Sequence, residues 1–256
     1  MIDPAAIEPW VYLALFGVAV LTGFIDAIAG GGGLIMLPAL LYAGLPPHVV
    51  LGTNKLQSMF GTAMAAHRYH RAGLFEVKPN LWGLAFVFAG AVGGALMIQR
   101  FDAAALRLIV PLLLMAVALY TVFSPRMNDE DSHGHLPERA YRPVAGAIGF
   151  YDGFFGPGTG QFFAASLVAL RGLGLTRATG LTKLLNLTSN IASVIVFALG
   201  GQIMWLLGLA MAVGAMTGAW IGAHNATRFG AALIRPLIVT ISFALTARLV
   251  WGWFAG

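Results

Sequence analysis

From Trp10 to Phe254 the chain is a succession of apolar segments separated by short loops, and that succession leaves few folds open. A bilayer core about 30 Å thick is crossed by a helix of about 20 mostly apolar residues. Ten segments can be read, at about 10–29, 34–43, 48–66, 80–98, 105–123, 143–155, 160–170, 178–198, 203–223 and 231–254. Only 10% of the residues are charged, and most of those charges cluster between segments. In lipid every backbone polar group must be satisfied within the protein, so the expected fold class is an all-α, multi-pass integral membrane protein. The second and seventh segments are too short to cross at 1.5 Å per residue. They read as glycine-broken half-helices or re-entrant pieces.

Several function classes fall away at once. The N-terminal MIDPAAIEPW has two acids and no basic residue, so it lacks the positive region of a signal peptide, and the first segment is expected to be retained. The absence of cysteine removes disulfides, thiol catalysis and thiolate-bound metal. A net charge of +5 is carried mainly in loops between apolar segments and is no footprint for nucleic acid. No nucleophile–base pair, HExxH or dinucleotide fingerprint is present, so neither an enzyme nor a cofactor is expected. His133 and His135, with Asp129 and Asp131, read as a solvated linker rather than a metal site. His67 and His70 are placed at headgroup level, and His224 and Asn225 are expected to cap the end of the ninth segment.

The segments are written twice. Phe24-Ile25-Asp26 returns as Phe150-Tyr151-Asp152, Gly30 and Gly32 as Gly156 and Gly158, and Gly52-Thr53-Asn54-Lys55 as Gly180-Leu181-Thr182-Lys183. Arg107 matches Arg235. The match implies two copies of a five-segment unit: a first transmembrane repeat over 1–123, a cytoplasmic linker over 124–142 and a second repeat over 143–256. Charge bias tests their relative direction. The loop after the first lysine segment is basic (Arg68, Arg71, Lys78), whereas in the second copy the basic turn (Arg171, Arg177) comes before it. Under the positive-inside rule equivalent loops face opposite sides, so the repeats are inverted and both termini lie outside. The loop 99–107 fits this assignment least well.

Asp26, Lys55, Asp152 and Lys183 each sit inside an apolar segment, at about 2.5–3.5 kcal/mol apiece near the bilayer centre. Unpaired, the four would cost about 10 kcal/mol, comparable with the stability of a whole domain. Two readings stay open: each aspartate pairs with a lysine and locks helices together, or the four line a substrate path. The turns at Gly30, Gly31, Gly32 and Gly33, and at Gly156-Pro157-Gly158-Thr159-Gly160, each start a short apolar helix. Free N–H groups at such starts favour an anion, although a packing kink is the plainer alternative. Ser58 and Thr62 share a helical face with Lys55, as Asn186 and Asn190 do with Lys183.

The run DAIAGGGGLIMLPALLYAG followed by GTNK, and DGFFGPGTGQFF followed by GLTK, resemble the TauE/SafE family over nearly the whole chain. That resemblance implies a transporter of small sulfur-containing or organic anions in the cytoplasmic membrane. The expected substrate-binding set is Gly30, Gly31, Gly32, Gly33, Asn54, Lys55, Ser58, Gly158, Thr159, Thr182, Lys183, Asn186 and Asn190. Asp26 and Asp152 are the candidates for proton coupling, since two lysines and two ionised aspartates sum to zero and protonation of one frees positive charge for an anion. Expected partners are a small anion, membrane lipid and a second copy of the chain. An anion channel and a non-transporting scaffold remain as alternatives.

Overall fold

The computed structural model describes residues 8–102, 105–106 and 136–229, and over these it is helical throughout. The fifth and tenth apolar segments, the first part of the linker with His133 and His135, and Arg107 and Arg235 fall outside the described residues.

α1 (Pro9–Ala29) opens with Pro at its first position, where the missing N–H costs no hydrogen bond. Its 21 residues span about 32 Å, enough for a bilayer core. It stops because Gly30 turns left-handed (φ 73°) and returns its N–H to the Asp26 carbonyl. α2 (Gly32–Tyr42) follows at once and has only 11 residues, about 16 Å. Pro46 is extended and Pro47 begins α3 (Pro47–Arg71), whose last turn carries Arg68, His70 and Arg71 against the negative end of the helix dipole. A 3₁₀ turn at Lys78–Asn80 leads into α4 (Leu81–Ile98).

The second half restates this order: α5 (Glu138–Phe154), a glycine turn, the short α6 (Thr159–Arg171), the long α7 (Leu175–Leu199) and α8 (Trp205–Phe229). Two expectations need correction. α5 starts at Glu138, inside the stretch read as linker, because Glu138 and Arg142 pair one turn apart and extend the helix outward past Pro143. His224 and Asn225 do not cap the ninth segment, since α8 continues to Phe229. The His224 ring instead stacks on Trp220 and meets Arg68, 2.5 Å from its Nδ1.

Packing is reciprocal between the halves. α1 lies along α8, and α5 lies along α4, each first helix taking the fourth helix of the other half. α3 and α7 pack on one another between these pairs. The α1–α8 seam runs along Gly214, Gly218 and Gly222, and the α4–α5 seam along Gly90, Gly94, Gly149 and Gly153. A Cβ at any of these would strike the facing backbone or a neighbouring Cβ, which is the close approach that small residues permit in membranes. The outer faces carry Trp82, Phe86 and Leu96 on α4 and Leu206, Leu209 and Val213 on α8. Among the described residues four helices are long and apolar enough to cross a membrane (α1, α4 with its 3₁₀ turn, α7, α8). In α7 67% of the spanning window is buried, against 33% in α4, so α7 is the central element.

Candidate functional site

The two glycine breaks meet at the centre of the molecule. A Cβ on Gly30 would lie 2.7 Å from the Gly160 backbone, and one on Gly160 would lie 2.6 Å from the Cα of Gly30. The chain can make this crossing only with glycine at both places. α2 therefore begins at the crossing in the first half and α6 begins there in the second, with Gly158 left-handed (φ 79°) before Thr159.

Around the crossing the four intramembrane charges pair across the halves. Lys55 Nζ lies 2.7 Å from Asp152 Oδ1, both side chains almost fully buried. Lys183 Nζ lies 3.5 Å from Asp26 Oδ2 and also donates to the Asp26 backbone carbonyl. Asp152 has a second partner in the Ser189 hydroxyl, which donates to its Oδ2. Asp26 accepts the Gly32 N–H at 3.4 Å and is one-quarter exposed. The pairing reading is thus realised in the structure, and three of the four charges also face a cavity.

That cavity encloses about 360 Å³ between atoms, part of it open to solvent. Of the expected residues it is lined by Asp26, Gly30, Gly33, Asn54, Lys55, Ser58, Asp152, Gly158, Thr159, Asn186 and Asn190. Gly31, Thr182 and Lys183 are not on its wall, and Gly32 faces a smaller neighbouring cavity instead. Lys183 sits behind Asp26, and its ammonium reaches the cavity only through that carboxylate. Thr182 is buried with its hydroxyl unpartnered among the described residues.

Gly156, Gly160 and Thr62 complete the wall. Each was legible in the sequence as part of a turn or stripe, but none stood in the expected binding set. Thr22, which lines the smaller cavity, had one available signal, its place one helical turn before Asp26.

The polar wall is organised from within. Gln57 Nε2 donates to Asn54 Oδ1 and to Ser58 Oγ, both at 3.0 Å, fixing the Asn54 amide against the cavity. Asn190 Nδ2 reaches Thr62 Oγ1 at 3.4 Å, tying α7 to α3. Asn186 carries a buried Oδ1 with no partner among the described residues, an acceptor waiting for a donor. The result is a small chamber with amide and hydroxyl groups, one lysine, two carboxylates and the starts of two short helices.

A sequence model of the family described as "Sulfite exporter TauE/SafE" matches residues 15–249. The chain belongs to the TauE/SafE family. Its relatives agree in length as well as sequence. It is 44% identical over 243 residues to a "Probable membrane transporter protein" of Haemophilus influenzae, covering 94% of this chain and 95% of that one. It is 45% identical to "Probable membrane transporter protein ORF9" of Sinorhizobium sp, covering 92% and 91% of the two chains. Against "Probable membrane transporter protein YfcA" of Escherichia coli K12 the identity is 41%, over 96% and 91%. No solved structure matches the chain. Membership in TauE/SafE makes the protein a transmembrane transporter and not an enzyme.

Proposed function

We propose that the protein is a secondary transporter carrying a small anion, of the sulfite, sulfonate or related organic class, across the cytoplasmic membrane with proton coupling. The observation that carries this reading is the chamber at the Gly30–Gly160 crossing, where two short helices begin beside Lys55, Asp26 and Asp152. Helix starts supply backbone N–H groups and the positive end of the dipole, and Asn54, Ser58, Asn186 and Asn190 supply adjustable hydrogen bonds. Broken helices meeting near a midplane site are a recurring arrangement in secondary transporters. With both aspartates ionised the four charges cancel, and protonating one leaves the four groups with a net charge of +1 beside the chamber. A proton and an anion then bind together.

The two halves are proposed to be inverted copies. The shared order of a long helix, a glycine break, a short helix and two long helices supports a repeat, and the reciprocal packing of α1 on α8 and α5 on α4 supports a two-fold relation. An inverted pair can rock about its shared centre and open to either side in turn.

The deciding experiment is a vesicle flux assay with the purified protein against sulfite, thiosulfate, sulfonates and carboxylates, at two pH values. One or more of these anions should move faster at the lower pH and saturate with concentration, and Lys55→Ala should abolish the movement. Flux of none of them, or flux unchanged in Lys55→Ala, counts against the reading. Conductance that neither saturates nor depends on pH would make the protein a channel.

A further inference from the structure

The two aspartates are twins in sequence but not in surroundings. Asp152 is held by Lys55 at 2.7 Å and by the Ser189 hydroxyl, and its side chain is 5% exposed. Asp26 is 3.5 Å from Lys183, accepts a long bond from Gly32, and its side chain is 25% exposed. Ser189 stands six residues after Lys183, and the residue six after Lys55 is Gly61. At the position that gives Asp152 a hydroxyl donor, Asp26 has instead a glycine packed against Ala215, with space left beside it.

That space is the smaller cavity, lined by Thr22, Gly32, Gln57, Ser58, Gly61 and Thr62, with Asp26 on its wall as well as on the wall of the main chamber. Gln57 lines this region and carries a buried Oε1 with no partner among the described residues, an acceptor suited to a water molecule. Hydroxyls and an amide around a water-sized space form a route by which a proton can reach the carboxylate, through a cavity that shares Asp26, Ser58 and Thr62 with the main chamber.

The lysines respond differently to loss of the two charges. If Asp152 took a proton, Lys55 would lose the counter-charge it pairs with while 3% exposed. If Asp26 took a proton, Lys183 would keep its bond to the Asp26 backbone carbonyl. The charged and titratable groups around Asp26 are Lys183 from α7, Lys55 and Tyr69 from α3, and Asp152 across the chamber from α5. Of the other helices against α1, α8 brings His224, turned outward onto Arg68 and Trp220, while α2 and α6 carry Tyr42 and Arg171 at their ends away from the crossing.

From this asymmetry we infer that Asp26 alone is the proton-binding carboxylate, reached through the Thr22–Gln57–Thr62 cavity, and that Asp152 stays ionised as the fixed partner of Lys55. The proton comes from water in that cavity, adds to an Asp26 carboxylate oxygen, and returns to water when the anion leaves. This inference rests on the proton-coupled reading above and sharpens it to one residue and one route.

The test is infrared difference spectroscopy on the purified full-length protein in lipid vesicles, titrated from about pH 5 to about pH 9 without any anion substrate. The signal is the carbonyl stretch of a protonated carboxylic acid. A titrating acid band should be kept in Asp152→Asn and lost in Asp26→Asn. Because Asp152→Asn strands Lys55, two further variants keep both carboxylates: Gly61→Ser, which fills the second cavity, should weaken the band, and Ser189→Ala should leave it unchanged. A band that disappears with Asp152 and survives without Asp26, a band insensitive to Gly61→Ser, or no titrating band in the wild type overturns the inference. The measurement requires no transport, so it separates from the flux assay: sulfite flux without pH dependence would sink coupling while leaving the band in place.

Discussion

Lys55 and Asp152 leave water together, and each is the condition for the other's burial. Removing one partner of such a pair costs about 3–5 kcal/mol, whereas replacing both by apolar groups of similar volume is often neutral. Lys55→Ala should therefore lower the melting temperature of the detergent-solubilised protein sharply, and Lys55→Met with Asp152→Leu should recover most of the loss. A thermal-stability series over Lys55→Met, Asp152→Leu and the double variant reads the coupling directly. Flux should stay absent in all three, which separates the pair's structural part from its part at the chamber. The same series on Lys183 and Asp26 should show a smaller coupling, because Asp26 is partly solvated and Lys183 has the backbone carbonyl besides. At this scale the sequence was informative about which residues carry charge into the membrane and silent about who holds whom. The crossed pairing joins residues 97 and 157 positions apart, and no local pattern encodes a choice between Asp26–Lys55 and Asp26–Lys183.

Helix lengths were more legible than helix limits. Short apolar runs after glycine clusters identified α2 and α6, because glycine at Gly30 and Gly158 takes a left-handed backbone that ends one helix or precedes the next. The start of α5 was missed because its first turn is stabilised by an ion pair rather than by apolar residues. The end of α8 was missed because His224 finds its partners, Arg68 and Trp220, only after folding. What the glycine clusters could not reveal is that they touch. Gly30→Ala should be destabilising by at least about 1–2 kcal/mol from the left-handed backbone alone, with the clash against Gly160 added. Gly160→Ala is not left-handed and tests the contact by itself: it should lower the melting temperature and displace α6 enough to reduce flux. Gly44→Ala, left-handed but with open space around it, serves as the control for backbone strain without contact.

The described helices form two halves that pack across one another, and the proposed inversion can be checked without a structure. The chain has no cysteine, so single cysteines report without background. Arg71→Cys and Leu199→Cys occupy the equivalent final turns of α3 and α7, and both positions are exposed. A membrane-impermeant thiol reagent applied to intact cells should label one of them and spare the other, with the reverse pattern in inside-out vesicles. Labelling of both from one side would show parallel copies. The crossed ion pairs carry a last consequence, for the order in which the protein is made. Synthesis proceeds at about 5–20 residues per second, so the partner of Lys55, 97 residues further on, follows about 5 to 20 s later. During that interval the ribosome has delivered α1 to α4 with a lysine and an aspartate whose counter-charges do not yet exist. For that interval the first half has Lys55 and Asp26 without their native partners, and only the arrival of the second half supplies them.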